Sequence, residues 1–231
     1  MWDAPGLARH TREMDEVEAR NPLIIVVADS PDARLFVELS SHAADLTEAS
    51  GALDSALRAK QDESLADVKP YLIAFAAVAY CRCFLHSNVR TPLGDHIDIP
   101  PGMVDTHESI KAFRNQTIAH SQSELTVTYP LGFLDAKTKE LQYVSAVTVA
   151  STLPDSIAED FARLIEAVLD LLDEVLDPVR RGLEQRLRTA DPETLVAAAP
   201  RGIDKMASDF QPRSKRARYP TRHTLYWDRK G

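Results

Sequence analysis

Residues Tyr71 to Leu85, YLIAFAAVAYCRCFL, leave few folds open to this chain. Written as a helix, the stretch is apolar on nearly all sides, with Arg82 as its one charged residue. It is shorter than the roughly 20 residues that an α-helix needs to cross a bilayer. A helix that is apolar all round is usually buried among other elements. We therefore predict that this stretch forms the central buried helix of a soluble domain.

The composition is that of a globular, helix-rich protein. Of the 231 residues, 44% are hydrophobic and 27% are charged, which is typical of soluble domains rather than disordered chains. A chain of this length can bury a sizeable core. Only eight glycines are present, and the many Ala, Leu and Glu residues favour helix.

Apolar periodicity and turn signals predict the order of the elements. Ser30 followed by Pro31 is a typical helix start, with a capping residue and a first-turn proline. Two segments of alternating β-branched and aromatic residues flank the sequence DAKTK and predict a β-hairpin over about 124–150. We predict a mainly α fold, a helical bundle of about four long helices with a short β-hairpin insertion. The helices are predicted at about 31–57, 64–86, 105–120 and 155–188.

Three weaker signals refine these boundaries. Pro70 is expected to start the body of the second helix or to kink it. Asp105 and Glu108 have the spacing of a capping box at the start of the third helix. The short apolar run at residues 23–28 fits either a strand or a buried helical turn.

Charge divides the chain into an acidic body and a basic end. The net charge is −8, but residues 199–231 contain nine Lys and Arg against three Asp, which leaves −14 for the rest. We predict an N-terminal arm at 1–22, a helical domain at 23–198 and a basic C-terminal tail at 199–231. Such an asymmetry favours either a nucleic-acid contact or docking of the tail on the acidic body.

The tail interleaves cations with aromatic residues, a combination that single-stranded RNA-binding segments use for phosphates and for base stacking. A solvated tail, or one that docks on the body, is the alternative. The candidate RNA-binding residues of the tail are Arg216, Arg218, Tyr219, Arg222 and Trp227.

Cysteine and histidine usage predicts neither disulfides nor a metal centre. Cys81 and Cys83 are two apart in an apolar run and cannot readily bridge each other, which favours a reducing, cytoplasmic setting. The N-terminal sequence is polar and charged, without the apolar core of a signal peptide. His86 and His96 have no acidic or thiol cluster at ligand spacing. We expect no metal, no cofactor and no membrane association.

The segment FRNQTIAHS, residues 113–121, contains the strongest candidate for chemistry. On a regular helix, Arg114 and His120 would lie on the two shoulders of an apolar stripe that includes Ile110 and Phe113, separated by about 9 Å along the axis. Asn115 lies further round, where it can orient a neighbour. The simpler explanation is that the histidine satisfies carbonyls at a helix end and that the arginine only extends to solvent.

RNQTIAH resembles the signature of the HEPN superfamily, in which an arginine and a polar residue precede a histidine. Together with the apolar helix before it and the hairpin after it, the likeness covers roughly residues 35–190 and is closest to abortive-infection-associated bacterial proteins. The resemblance implies a metal-independent ribonuclease, with the motifs of two copies forming one composite cleft in a homodimer. Catalytic roles are implied for Arg114, Asn115 and His120.

The types of residue suit this chemistry. RNA supplies its own nucleophile, the 2′-hydroxyl, so a site needs proton transfer and charge stabilisation. Histidine titrates near neutrality, and arginine presents a charged fork to phosphate oxygens. Arg82 and His107 are possible supporting residues; Arg82 is expected to be buried and either to pair with an acid or to add to a phosphate site, and His107 to line the cleft.

The expected setting is a toxin or a phage-defence effector. The expected partners are RNA, a second copy of the chain and an antitoxin protein. Because some members of the superfamily are inactive, a non-catalytic helical interaction or nucleotide-binding module remains the alternative to an endoribonuclease.

Overall fold

The computed structural model describes residues 25–59, 62–120, 122–198, 204–208, 219 and 222–226. This part of the chain is mainly helical and includes a two-stranded antiparallel hairpin, which confirms the predicted fold class. The long helices lie close to their predicted positions. They are α1 (Pro31–Arg58), α2 (Lys69–Phe84), α3 (Val104–Phe113) and α4 (Asp155–Thr189).

Shorter elements join the long helices. A six-residue π-helix, Arg114–Ala119, continues directly from α3, and α5 (Pro192–Ala198) follows α4. Short 3-10 turns lie at Glu63–Leu65, Leu93–Asp95 and Pro101–Met103. The strands are β1 (Thr126–Leu134), β2 (Leu141–Ala150), β3 (Asp204–Ser208) and β4 (Arg222–Tyr226).

The chain divides into two compact units. Within the described residues, the first unit comprises residues 25–44, 86–97 and those from 171 onward, and the second comprises residues 45–85 and 98–170. Helices α1 and α4 each contribute one part to either unit. The candidate motif and the hairpin both belong to the second unit.

An aromatic cluster forms the centre of the second unit. The Tyr80 ring on α2 meets Phe161 of α4 edge-on, with ring centroids 5.2 Å apart. His107 of α3 packs edge-on against Phe84, at 4.7 Å. At the start of α2, Lys69 Nζ lies 2.5 Å from a carboxylate oxygen of Asp155, at the first residue of α4. Three helices are thus joined by ring contacts in the core and by one ion pair at their ends.

Helix α2 is the most buried helix of the second unit, but it is not buried on all sides. Ile73, Ala76, Tyr80 and Cys83 are fully buried. Tyr71, however, is 75% exposed, on the opposite side of the helix. The prediction of a helix covered all round is therefore wrong for one strip of its surface.

The first unit is organised around the start of α1. The Ser30 hydroxyl accepts the amide of Ala33 at 3.2 Å, so the predicted cap at Ser30–Pro31 is confirmed. Arg186 of α4 pairs with Asp32 at 2.8 Å. The Tyr219 hydroxyl donates to the carbonyl of Val27.

The weaker boundary signals had mixed outcomes. Pro70 lies in the first turn of α2, as expected. The capping box is wrong: α3 has no side-chain cap, and Glu108 instead accepts a hydrogen bond from Lys111 at 2.8 Å. Residues 25–28 are neither strand nor helix.

Strands β1 and β2 form an antiparallel ladder from Thr126 opposite Ala150 to Phe133 opposite Tyr143. The connecting turn is held by the Asp135 carboxylate, which accepts the amides of Lys137 and Thr138 at 2.8 Å. The hairpin predicted around DAKTK is therefore confirmed. Strands β3 and β4, by contrast, pair in parallel in a stretch where no strand was predicted. Among the described residues, no helix has the length and apolar character needed to cross a membrane.

Candidate functional site

The motif (Arg114, Asn115 and His120) lies on a π-helix. Regular α-helix ends at Phe113, and the π-helix Arg114–Ala119 follows without a break, so that His120 caps its C-terminal end. A π-helix is wider than an α-helix because its hydrogen bonds span five residues, and such turns are frequent at functional sites. The projection of the motif on a regular helix therefore fails beyond Phe113.

Arg114 is held by its neighbour and not by an acid. Its Nη1 donates to Asn115 Oδ1 at 2.8 Å. Arg114 is half-buried and Asn115 is exposed. Within the described ranges, no carboxylate forms an ion pair with Arg114. The guanidinium keeps both its charge and donors that a ligand can use.

The electrostatic effect of Arg114 reaches α2. Burial raises the pKa of the Cys81 thiol to about 11, and the positive charges of Arg114 and Lys111 act in the opposite direction. The π-helix also contacts α2. The charge of the half-buried Arg114 thus acts on a buried thiol of α2.

His120 is exposed and has no structural partner in the described chain. Its backbone leaves helical geometry, with φ −127° and ψ −3°. No hydrogen bond joins its ring to a helix carbonyl among the residues that the structure describes. The simpler explanation, in which a terminal histidine satisfies carbonyls, lacks the contact that it needs.

The segment after the motif is fixed by hydrogen bonds. The Thr117 hydroxyl donates to the Ser123 hydroxyl at 2.7 Å. The Gln122 amide donates to the carbonyl of Gln116 at 2.6 Å. These bonds hold the π-helix against the turn that leads into β1.

Arg82 does not belong to this site. It lies on the exposed side of α2, with its side chain 43% exposed, and it pairs with Asp45 at 2.8 Å and Glu48 at 2.9 Å. The expectation that it is buried is wrong, and the expectation of an acidic partner is confirmed. Two carboxylates already compensate its charge.

His107 is a core residue and does not line an open cleft. It is 7% exposed, and its Nδ1 lies 2.8 Å from the Tyr80 hydroxyl, which donates to it when the other ring nitrogen carries the proton. Burial lowers the pKa of His107, and the nearby Lys111 acts in the same direction. The predicted cleft position is wrong, and the ring instead packs against Tyr80 and Phe84 of α2.

The tail candidates are only partly described. Arg216, Arg218 and Trp227 lie outside the described residues. Arg222 begins β4. Tyr219 is half-buried with its hydroxyl bound to Val27, which fits the docked-tail alternative better than an exposed stacking platform.

A second polar cluster lies in the first unit and was not predicted. We name it the loop cluster. It consists of Glu38, Ser41 and His42 of α1 and of Arg90, Thr91 and His96 in the connection between α2 and α3. Glu38 accepts the Thr91 amide and bonds His96 Nε2, both at 2.9 Å. His42 Nε2 bonds the carbonyl of Thr91 at 3.0 Å. The one signal in the sequence was the helical i, i+4 spacing of Glu38 and His42.

His42 is the buried residue of the loop cluster, whose other members are half-buried or, in the case of Thr91, exposed. His42 is 0% exposed, and burial, aided by the charge of Arg90, lowers the pKa of His42 to about 4. Burial alone would raise the pKa of Glu38, but hydrogen bonds from Thr91 and His96 outweigh it, and the pKa lies below its ordinary value. These groups are used in holding the loop to α1.

Neither a metal cluster nor a known relative adds to this picture. Within the described ranges, no group of three His, Cys, Asp or Glu side chains could hold a metal ion. No family model, no curated protein and no solved structure matches the chain.

Proposed function

We propose that the chain is a HEPN-like, metal-independent endoribonuclease that acts as a toxin or phage-defence effector. The observation that carries the proposal is the state of the motif. Arg114 keeps an uncompensated charge and is oriented by Asn115, while His120, just past the C-terminal end of the π-helix, is exposed and unbonded within the described chain. Groups that the fold does not use are available for a substrate.

The reaction is the transesterification of RNA. A basic histidine takes the proton of the 2′-hydroxyl, whose oxygen then forms a bond to phosphorus. The bond from phosphorus to the 5′-oxygen breaks, and that oxygen receives a proton from an acidic group. The products are a 2′,3′-cyclic phosphate and a 5′-hydroxyl. Arg114 stabilises the negative charge that develops on the phosphoryl oxygens.

A second copy of the chain completes this site. The proton donor and the proton acceptor act on opposite sides of phosphorus, whereas each motif contains a single histidine. Two motifs facing each other across a two-fold axis supply both groups. RNA and a second copy are therefore the proposed partners, and an antitoxin protein is the partner that the toxin role requires.

The alternative is a non-catalytic interaction module on the same scaffold. The observation in its favour is the large exposed apolar surface of the hairpin β1–β2, because such patches mark binding surfaces. The two proposals differ in whether RNA is consumed.

The decisive experiment tests whether RNA cleavage needs the 2′-hydroxyl at the scissile position. An RNA oligonucleotide that the protein cuts is resynthesised with one deoxyribose at the scissile position and incubated with excess EDTA. We expect cutting of the all-RNA strand to persist in EDTA, cutting at the substituted position to stop, and the product to carry a 2′,3′-cyclic phosphate. Cleavage at the deoxyribose, or complete loss in EDTA, would contradict the mechanism. No cleavage of any RNA would favour the interaction module.

A further inference from the structure

The hairpin β1–β2 is an uncharged surface that the described chain leaves uncovered. Neither strand contains Asp, Glu, Lys or Arg. Nine of its large apolar side chains are between 37% and 67% exposed, which is more apolar surface than an isolated two-stranded sheet tolerates in water. These side chains are Tyr129, Leu131, Phe133, Leu134, Leu141, Tyr143, Val144, Val147 and Val149.

The hydrogen-bond phase of the ladder defines which backbone groups face outward. The Ser151 amide donates to the Leu125 carbonyl at 2.7 Å, one step beyond the pair Thr126–Ala150. Antiparallel pairs alternate between bonded and non-bonded. The odd-numbered residues of the continuous ladder therefore bond across it, and the even-numbered residues direct their N–H and C=O groups away from it.

The two outer edges differ. On β1, Pro130 is one of the outward-facing residues, and it has no amide to offer. On β2 the outward-facing residues are Val144, Ala146, Thr148 and Ala150, and each offers both a donor and an acceptor. In the described chain, none of these four has a hydrogen bond along that edge. Natural sheets protect free edges with proline or charge; β1 has such protection and β2 has none.

We propose that β2 pairs antiparallel with β2 of a second copy, giving a four-stranded sheet with β1 on both outer edges. When Val144 of one copy faces Ala150 of the other, and Ala146 faces Thr148, all four residues of both copies form bonded pairs. A two-fold axis then passes beside Val147. The strand is complementary to itself in this register.

The absence of charge selects a second copy over a charged partner. A partner that brought Lys or Glu to this edge would bury it without a counter-charge, which is costly. A second β2 brings only uncharged side chains and the same backbone groups. The stacked rings of Phe133 and Tyr143, with centroids 4.5 Å apart and 12° between planes, lie on the odd-numbered face. Pairing extends that apolar face across both copies.

This inference does not rest on the proposed ribonuclease activity. The two can fail separately, because one is tested by covalent trapping and the other by RNA cleavage.

Disulfide trapping tests the register. The two Val147 residues would form a non-bonded pair with Cα atoms about 4.5 Å apart, within disulfide range. Val149, on the same face, would face Ser145, and its own copy would lie about 13 Å away. In the full-length protein under mild oxidation, Val147→Cys is expected to give a covalent dimer, and the matched Val149→Cys is expected to give little. The native Cys81 and Cys83 are free and buried, so wild type measures the background. Equal trapping of both variants, or none for Val147→Cys, would overturn the proposal.

A pair of proline variants tests the edge. Thr128 and Thr148 face each other, and their hydroxyls are 2.9 Å apart, so either substitution loses the same side-chain bond. Thr148→Pro removes an amide from the β2 edge, and Thr128→Pro removes one from the β1 edge. The dissociation constant of the dimer is measured by sedimentation, on variants whose helix content equals that of wild type. We expect wild type and Thr128→Pro to be dimers and Thr148→Pro to raise the dissociation constant about tenfold or more. A monomeric wild type, or a dimer that Thr148→Pro leaves intact, would contradict pairing through β2.

Discussion

The loop cluster and the motif contain the same kinds of side chain and use them in opposite ways. In the loop cluster, Arg90 donates to the Ser41 carbonyl at 3.0 Å, and His96 bonds Glu38 at 2.9 Å. In the motif, Arg114 donates only to its neighbour Asn115 among the described residues, and the His120 ring has no bond there. One set of polar groups is satisfied by the fold, and the other is left to solvent.

This difference bears on which polar residues stabilise the fold and which are available for a ligand. A buried donor or acceptor must be paired, because an unpaired one costs about 1–3 kcal/mol. Most of the loop cluster meets this requirement, with His42 Nδ1 as the exception, and its hydrogen-bonding capacity is largely used in doing so. A half-buried Arg with no acidic partner and an exposed, unbonded His, within the described chain, have capacity for a ligand. We therefore expect substitutions in the loop cluster to change stability and substitutions in the motif to change activity.

The largest expected effect is on catalysis. Arg114→Ala and His120→Ala should each lower the rate of RNA cleavage by about 10²- to 10⁴-fold, because each removes a group that acts in the transition state. Surface residues without an ion pair usually contribute within about 0.5 kcal/mol to folding, so both variants should unfold close to the denaturant concentration of wild type. Initial rates on a defined RNA and urea titrations measure the two quantities.

The loop cluster provides matched controls for that prediction. Arg90→Ala and His96→Ala remove the same residue types from the first unit. They should lower the free energy of unfolding and leave the rate per folded molecule unchanged. Equal loss of activity in both pairs of variants would remove the distinction between the two regions.

Periodicity and turn chemistry were enough to predict the helices. Helix α4 was expected over 155–188 and runs from Asp155 to Thr189; α1 begins at the predicted Ser30–Pro31 start. These features follow from local rules, since a cap and an apolar stripe are visible in neighbouring residues. The exposed strip of α2 was not predicted, because composition does not reveal which side its neighbours leave uncovered.

The motif could be found from its residues, but its geometry could not. A change from α- to π-helix at Arg114 shifts the direction of each later side chain. The residues RNQTIA carry no sequence signal that predicts this change. His107 was misplaced because a regular-helix projection puts it on the same side as Arg114, whereas Tyr80, distant in sequence, gives it a buried partner. The loop cluster was missed for the same reason: contacts between α1 and residues 90–96 are set by tertiary packing.

The second expected effect is a loss of stability in acid caused by His42. The folded-state pKa of His42 is lowered from 6.5 to about 4. Between these pH values the unfolded chain binds a proton that the folded chain does not, so stability is complete above pH 6.5 and falls as the pH decreases towards 4. The gap corresponds to about 3 kcal/mol. Urea titrations across this range measure it.

A variant that cannot titrate isolates this contribution. The amide of His42→Gln can donate to the Thr91 carbonyl in place of Nε2. The unfolding free energy of His42→Gln should depend less on pH than that of wild type over this range. The unfolding free energy of His86→Gln, at an exposed position, should follow wild type. Identical slopes for His42→Gln and wild type would show that His42 is not the titrating group.

The third effect concerns the partner that His107 finds in the core. Tyr80→Phe removes only the hydroxyl that bonds His107 Nδ1 and leaves the ring contacts with Phe84 and Phe161. We expect a loss of about 1–3 kcal/mol in unfolding free energy, because the buried ring nitrogen then has no donor. RNA cleavage per folded molecule should be unchanged. A large loss of activity with normal stability would instead assign His107 to the site.

The smallest expected effect concerns Arg82, which the sequence offered as a possible supporting residue of the motif. Arg82 is 43% exposed and is shared between the exposed Glu48 and the less exposed Asp45, and pairs that solvent reaches contribute about 0.2–1 kcal/mol. A double-mutant cycle with Arg82→Ala and Asp45→Ala should therefore give a coupling energy below about 1 kcal/mol. Arg82→Ala should cleave RNA at the wild-type rate, because two carboxylates already compensate the charge of Arg82, while Arg114→Ala should not. A fall in cleavage rate for Arg82→Ala comparable to that of Arg114→Ala would mean that RNA displaces those carboxylates. In that case an acidic partner would not distinguish a structural arginine from a functional one in this protein.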